Sequence, residues 1–203
     1  MTKEMIGMIS GAFVVLSIIP YAIRTYQGKV HPVLTSWMLW STIGLTLLLT
    51  YKSSGAEDNV WPAVFGFTNP TLIALIAYIR KGERVKLDLL EKWCIVLCGV
   101  ALAMWLYMRN NPELAQYALY IAIVADFCAA GPTFKTLWAH PSQDRPVPWG
   151  VFAFGYGLAL FAIPKYTFAN CILPTYMATG SISVMLILLM YRIKTKIPVK
   201  EWV

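Results

Sequence analysis

The chain has 203 residues, 58% of them hydrophobic and 13% charged, with a mean hydropathy of +0.60 and a formal net charge of +7. A soluble domain of this length has too little interior to hide so much apolar surface. Soluble enzymes are excluded, and the basic residues, set in short runs between apolar stretches, point to membrane loops and not to nucleic acid.

Seven apolar stretches follow one another, each near the ~20 residues that a bilayer crossing requires. The first, 5–23, carries Gly7-x-x-x-Gly11 and, near its end, Pro20. The glycine pair is a small-residue face for a second copy (a homodimer) or for close packing inside the bundle. This stretch is longer than the apolar core of a cleaved signal peptide, and no small-residue cleavage site follows before Arg24. The second stretch, 33–51, opens after a His31-Pro32 turn and holds Trp37 and Trp40. In the third, 60–79, Asn69 stands between Thr68 and Pro70. That is about nine residues in, roughly the midplane at 1.5 Å per residue.

The fourth stretch, 93–108, contains no Asp, Glu, Asn, Gln, Ser or Thr. A helix with nothing polar to hide suits a peripheral position against lipid. Its Cys94 and Cys98 share a helical face, but no His or carboxylate completes a metal set. The fifth stretch, 114–130, holds Asp126, the one acidic residue inside an apolar stretch, with Pro132 just beyond. Asp126 lies about 12 residues in, roughly 18 Å along the helix. The sixth, 149–163, brings Trp149, Phe152 and Tyr156. The seventh, 168–191, brings Asn170 near its start and Ser181 near its middle.

Thirteen of the 17 Lys and Arg fall in alternate loops: Arg24 and Lys29, then Arg80, Lys81, Arg84, Lys86 and Lys92, then Lys135 and Arg145, then Arg192, Lys194, Lys196 and Lys200. The other loops hold only Lys3, Lys52, Arg109 and Lys165. The positive-inside rule then places the N-terminus outside and the C-terminus in the cytoplasm.

Compared with itself at a shift of 112, the chain pairs Pro20 with Pro132, Trp37 with Trp149, Trp40 with Phe152, Pro62 with Pro174 and Arg80 with Arg192. Basic-Thr pairs, Arg24-Thr25 and Lys135-Thr136, follow both helix-ending prolines one residue out of register, and each half carries a His-Pro pair in the following loop, His31-Pro32 and His140-Pro141. The expectation is a 3+1+3 architecture: residues 1–86 as one triple-helix repeat, 87–112 as a linker with the fourth helix, and 113–203 as the second repeat with a tail. An extra helix between the copies restores their orientation, so the repeat is parallel, about an axis along the membrane normal.

This layout resembles the PQ-loop superfamily, which includes the SWEET sugar transporters, lysosomal amino-acid exporters and, more remotely, the KDEL receptors. The matching segments are Ile19-Pro20-Tyr21 through Arg24-Thr25 to Trp37, and Gly131-Pro132-Thr133 through Lys135-Thr136 to Trp149. Asp126-Phe127 through Lys135 is most similar to small bacterial members without an assigned substrate, which implies a bacterial inner membrane. The family's glutamine after proline is replaced by Tyr21 and Thr133. In the SWEET family an asparagine on the third helix lines the sugar site, and Asn69 stands at a comparable place; its repeat partner is Ser181.

A proline inside a helix removes a backbone hydrogen bond and creates a kink, so Pro20 and Pro132 are hinge candidates. Asp126 must be protonated, paired or facing water at its depth, which makes it the candidate for proton coupling. Trp40, Phe152 and Tyr156, with Asn69 and Ser181, are the candidate walls of a pocket for a small organic solute. The alternatives are aromatic packing for the rings and an interhelical hydrogen bond for Asn69. The function expected is a small-solute facilitator or proton-coupled transporter, with a non-transporting receptor of the same fold as the alternative. The apolar stretches hold no His, Cys–His or paired-carboxylate cluster, so no enzyme, metal or cofactor is expected.

Overall fold

The computed structural model describes residues 1–28, 32–80 and 86–202, without the side chains of Pro132, Thr133, Lys135, Thr136, Gln143 and Lys200. Lys29, His31, Lys81 and Arg84 lie outside the described residues, as do the side chains of the hinge candidate Pro132 and of the Lys135-Thr136 pair. The chain is an all-α, multi-pass membrane protein. Its α-helices are α1 (Lys3–Tyr26), α2 (Leu34–Ser53), α3 (Trp61–Ile79), α4 (Leu89–Met108), α5 (Pro112–Ala139), α6 (Pro146–Ala162) and α7 (Phe168–Lys194). Among the described residues, five segments are long and apolar enough to cross a bilayer: α1, α3 with the 3-10 turn before it, α4, the first part of α5, and α7. The 17 residues of α6 fall short of that length. α2, of sufficient length, is diluted by its Ser and Thr.

Local chemistry sets the helix ends. Thr2 accepts from the Met5 amide at the start of α1, and Thr167 accepts from the Asn170 amide at the start of α7. α4 opens on a capping box: Asp88 Oδ1 accepts from the Glu91 amide at 2.7 Å, and Glu91 Oε2 from the Asp88 amide at 2.9 Å. α2 and α7 end in the same reverse turn. In α2 the Ala56 and Gly55 amides return to the Tyr51 and Lys52 carbonyls; in α7 the Ile197 and Lys196 amides return to Arg192 and Ile193. The turn requires a left-handed residue, which is Gly55 (φ 103) in one helix and Lys196 (φ 54) in the other. A Cβ in that conformation costs about 1 kcal/mol. Lys196→Gly is therefore expected to stabilise the protein by about that much and Gly55→Ala to destabilise it by a similar amount, read as opposite shifts of the thermal midpoint in detergent.

Neither repeat-related proline ends its helix. α1 continues six residues past Pro20, and α5 continues to Ala139 where the sequence reading stopped at 130. Each proline removes only the hydrogen bond to the carbonyl four residues back, and neighbouring helices hold the rest of the turn in place.

Three threonines of α2 bond back to their own helix, while Ser41 bonds Thr71 of α3 and Ser53 accepts from Trp105 of α4. Thr42, Thr46 and Thr50 each donate to the carbonyl four residues earlier, at 3.0, 2.8 and 2.7 Å. α2 is enclosed by α3, α4 and α5, so it presents little surface to lipid. Along α5, buried Ala115, Ala118, Ala122, Ala125 and Ala129 form a stripe that lets neighbouring helices approach closely. α4 buries Cys94, Cys98 and Ala101 and leaves Trp93, Val96, Val100 and Leu106 exposed, the peripheral position expected for it.

The packing has an order. α1 lies on α6 and α3, α2 on α3 and α5, and α7 on α6 and, more narrowly, α5. Exchanging α1 with α5, α2 with α6 and α3 with α7 maps each of these pairs onto another. Trp37 at the start of α2 packs with Leu34, Ala74 and Ala77, its ring 5.2 Å from that of Tyr21. Trp149 at the start of α6 packs with Phe134, Leu137, Val184 and Leu188. Each tryptophan thus meets the first and third helices of its own set of three. Gly7 and Gly11 are consumed inside the bundle. A Cβ on Gly7 would strike the Asp58 carbonyl, and one on Gly11 would lie 2.9 Å from both Trp61 and Phe65.

Candidate functional site

Where α1, α3, α6 and α7 converge, Val14, Tyr156 and Ala178 form a buried junction with Phe65, Phe152 and Met177 around it. The Phe152 and Tyr156 rings lie 4.9 Å apart, tilted by 43°. The Tyr156 hydroxyl passes beside Gly66 and donates to the Pro62 carbonyl at 3.1 Å. Two of the three expected aromatics are therefore neighbours. Trp40 is not with them; it packs against the core shared by α2, α4, α5 and α7.

Asn69 is buried and donates to the Val14 carbonyl at 2.8 Å, an oxygen that also accepts from Ser17 Oγ at 2.7 Å. Its amide group thus makes the interhelical bond between α3 and α1. It also borders an apolar groove of about 420 Å³ on the outer side of α1 and α3, with Phe65, Thr68 and Leu72. Ser181 is buried on α7, one turn from Ala178 of the junction.

Asp126 is 6% exposed and accepts a hydrogen bond from the Tyr176 hydroxyl on α7 at 2.7 Å. Tyr156 and Cys98 lie within electrostatic range of the carboxylate. A hydroxyl donor satisfies one carboxyl oxygen of Asp126 without supplying a counter-charge. Sequence reasoning singled out Asp126 but not Tyr176, because helical spacing does not reveal a partner on another helix.

A second group of contacts lies at the face that carries the N-terminus. Pro174 has no N–H for the Asn170 carbonyl, and the Tyr51 hydroxyl takes its place at 2.7 Å. Asn59 Nδ2 in turn donates to the Tyr51 hydroxyl, and Asn59 Oδ1 accepts from the Glu57 amide. Lys3 Nζ donates to the Ile163 and Pro164 carbonyls at 2.8 and 3.3 Å. The Tyr51–Asn170 and Lys3–Ile163 bonds, with Tyr156 to Pro62, join residues 1–86 to residues 113–203. On the opposite face, three polar contacts run within 1–86 or within 113–203. Arg80 donates to the Tyr26 carbonyl, and Trp149 and Arg192 both bond Asp144. Pro174, four residues after Asn170, was the available signal for this clamp, since it frees a carbonyl that some donor must meet.

Comparison with family models, with curated proteins and with solved structures returns no match.

Proposed function

We propose that this protein is a small-solute membrane transporter that works by rocking of two triple-helix units, 1–86 and 113–203, joined through α4. The observation that carries this reading is the packing order: exchanging α1, α2, α3 with α5, α6, α7 maps the helix contacts onto one another. An assembly of two equivalent units around a shared junction has two related ways to tilt, one opening to each side. The excess of Lys and Arg in alternate loops supports an outer N-terminal face, so the Tyr51–Asn170 and Lys3–Ile163 contacts belong to a conformer closed to the outside. In this reading a solute would sit against Phe152 and Tyr156 at the junction, beside the Val14 carbonyl that Asn69 bonds, and Asp126 with Tyr176 would supply the proton site.

The test is solute counterflow in proteoliposomes, using compounds first selected by thermal stabilisation of the purified protein. Saturable exchange supports the reading; stabilising compounds that never exchange across the bilayer defeat transport and leave a receptor. Pro20→Ala and Pro132→Ala are each expected to slow this exchange while leaving equilibrium binding unchanged, because a conformational barrier can alter without altering ligand contacts.

A further inference from the structure

At the face opposite the N-terminus, two guanidinium groups converge on one backbone oxygen. Arg192 Nη2 donates to the Asp144 carbonyl at 2.6 Å, and Arg145 Nη1 reaches the same oxygen at 3.4 Å and the Ser142 carbonyl at 3.0 Å. Arg192 is 1% exposed, the largest of the fully buried side chains. The Nε of each arginine is buried with no hydrogen-bond partner. The Asp144 carboxylate is within electrostatic range of Arg192, but its oxygens are bonded elsewhere: Oδ1 accepts from the Arg145 amide at 2.7 Å and Oδ2 from Trp149 Nε1 at 3.0 Å. Glu201 is within electrostatic range of Arg192, but it is exposed and makes no hydrogen bond to it.

Two like charges brought together, each with an unfilled buried donor, are unfavourable on both counts. One anion between them relieves both. We propose that Arg145 and Arg192 form a binding site for a phosphate group where α6 begins and α7 ends. A guanidinium presents its donors as a planar fork that matches phosphate oxygens, and two forks need an acceptor with more than two oxygens, which phosphate has and a carboxylate lacks. Arg145 is half-buried and forms the open side of the pair. The segment after α7 runs beside both arginines. Ile197 N bonds the Arg192 carbonyl at 3.0 Å, and the Trp202 carbonyl accepts from Val147 N at 3.2 Å. The phosphate comes either from an anionic lipid headgroup, at a face rich in Lys and Arg, or from a free phosphate ion. This site is separate from the central junction and does not depend on the transport reading.

The experiment follows the thermal midpoint of the full chain in nanodiscs. One arm titrates inorganic phosphate into phosphatidylcholine discs, against chloride at equal ionic strength; the other replaces a third of the lipid with phosphatidylglycerol. A saturable rise with phosphate assigns the soluble source, and a rise only with phosphatidylglycerol assigns the lipid. In R145Q the half-saturating phosphate concentration is expected to rise at least about tenfold, or the lipid-dependent rise to vanish. R192Q should behave alike where it folds; R145Q, altered at a half-buried loop position, decides the matter where it does not. No rise in either arm beyond the chloride control, or an undiminished response in R145Q, overturns the site.

Discussion

Asp126→Asn is expected to abolish the response of transport to a proton gradient while leaving solute exchange intact. The amide is nearly isosteric with the protonated carboxyl and still accepts from the Tyr176 hydroxyl, now 2.7 Å from Asp126 Oδ2. It cannot lose a proton, so it fixes the neutral form throughout the cycle. With one proton moved per solute and the membrane potential clamped, a gradient of one pH unit supports about tenfold accumulation, since one unit is about 1.4 kcal/mol. Wild type should reach that ratio and Asp126→Asn should stay near unity, measured as steady-state uptake in proteoliposomes with an acidic exterior. Tyr176→Phe removes the donor and leaves the carboxylate, so coupling should persist at a shifted pH. Equal accumulation by wild type and Asp126→Asn would defeat proton coupling and leave passive facilitation.

Tyr51→Phe should open the N-terminal face. Its hydroxyl both fills the Asn170 carbonyl that Pro174 leaves free and accepts from Asn59. Losing it strands a buried acceptor and a buried donor, at about 1–3 kcal/mol each. If about 2 kcal/mol of this favours the closed face, the open population rises about thirtyfold. Cys171 reports it without engineering, being half-buried next to Asn170 and within electrostatic range of Tyr51. Its alkylation by a membrane-impermeant maleimide is expected to speed up by about that factor. An unchanged rate would mean that the Tyr51 contact is structural and closes nothing.

The seven apolar stretches each became a helix, but among the described residues only five segments have both the length and the hydropathy of a crossing, α6 being too short and α2 too rich in Ser and Thr. The helix ends were less legible. Gly131-Pro132 reads as a stop, yet α5 continues to Ala139, since a proline within a packed bundle costs one hydrogen bond and its neighbours hold the rest. The site was legible only in part. Asp126 stands out because an isolated acid in an apolar stretch has no inexpensive explanation. Phe152 and Tyr156 were placed together only by their similar depth, and they stand one turn apart on α6 with their rings 4.9 Å apart. Trp40 was grouped with them through the 112-residue offset, but a shared offset in sequence does not fix which space a ring faces. Tyr176, Tyr51 and Asn59 act through partners on other segments, and periodicity along one helix carries no information about those.

The most direct test of rocking is a pair of spin-label distances taken by double electron–electron resonance, in a background with the native cysteines replaced by alanine. One pair, K52C with K165C, spans the two units at exposed positions of the N-terminal face; the other, I23C with W138C, spans them at exposed positions of the opposite face. When Tyr51→Phe is added, the first distance should lengthen and the second should shorten, because two rigid units tilting about a shared junction exchange one opening for the other. Distances that both stay fixed, or that both move in the same sense, would contradict the account.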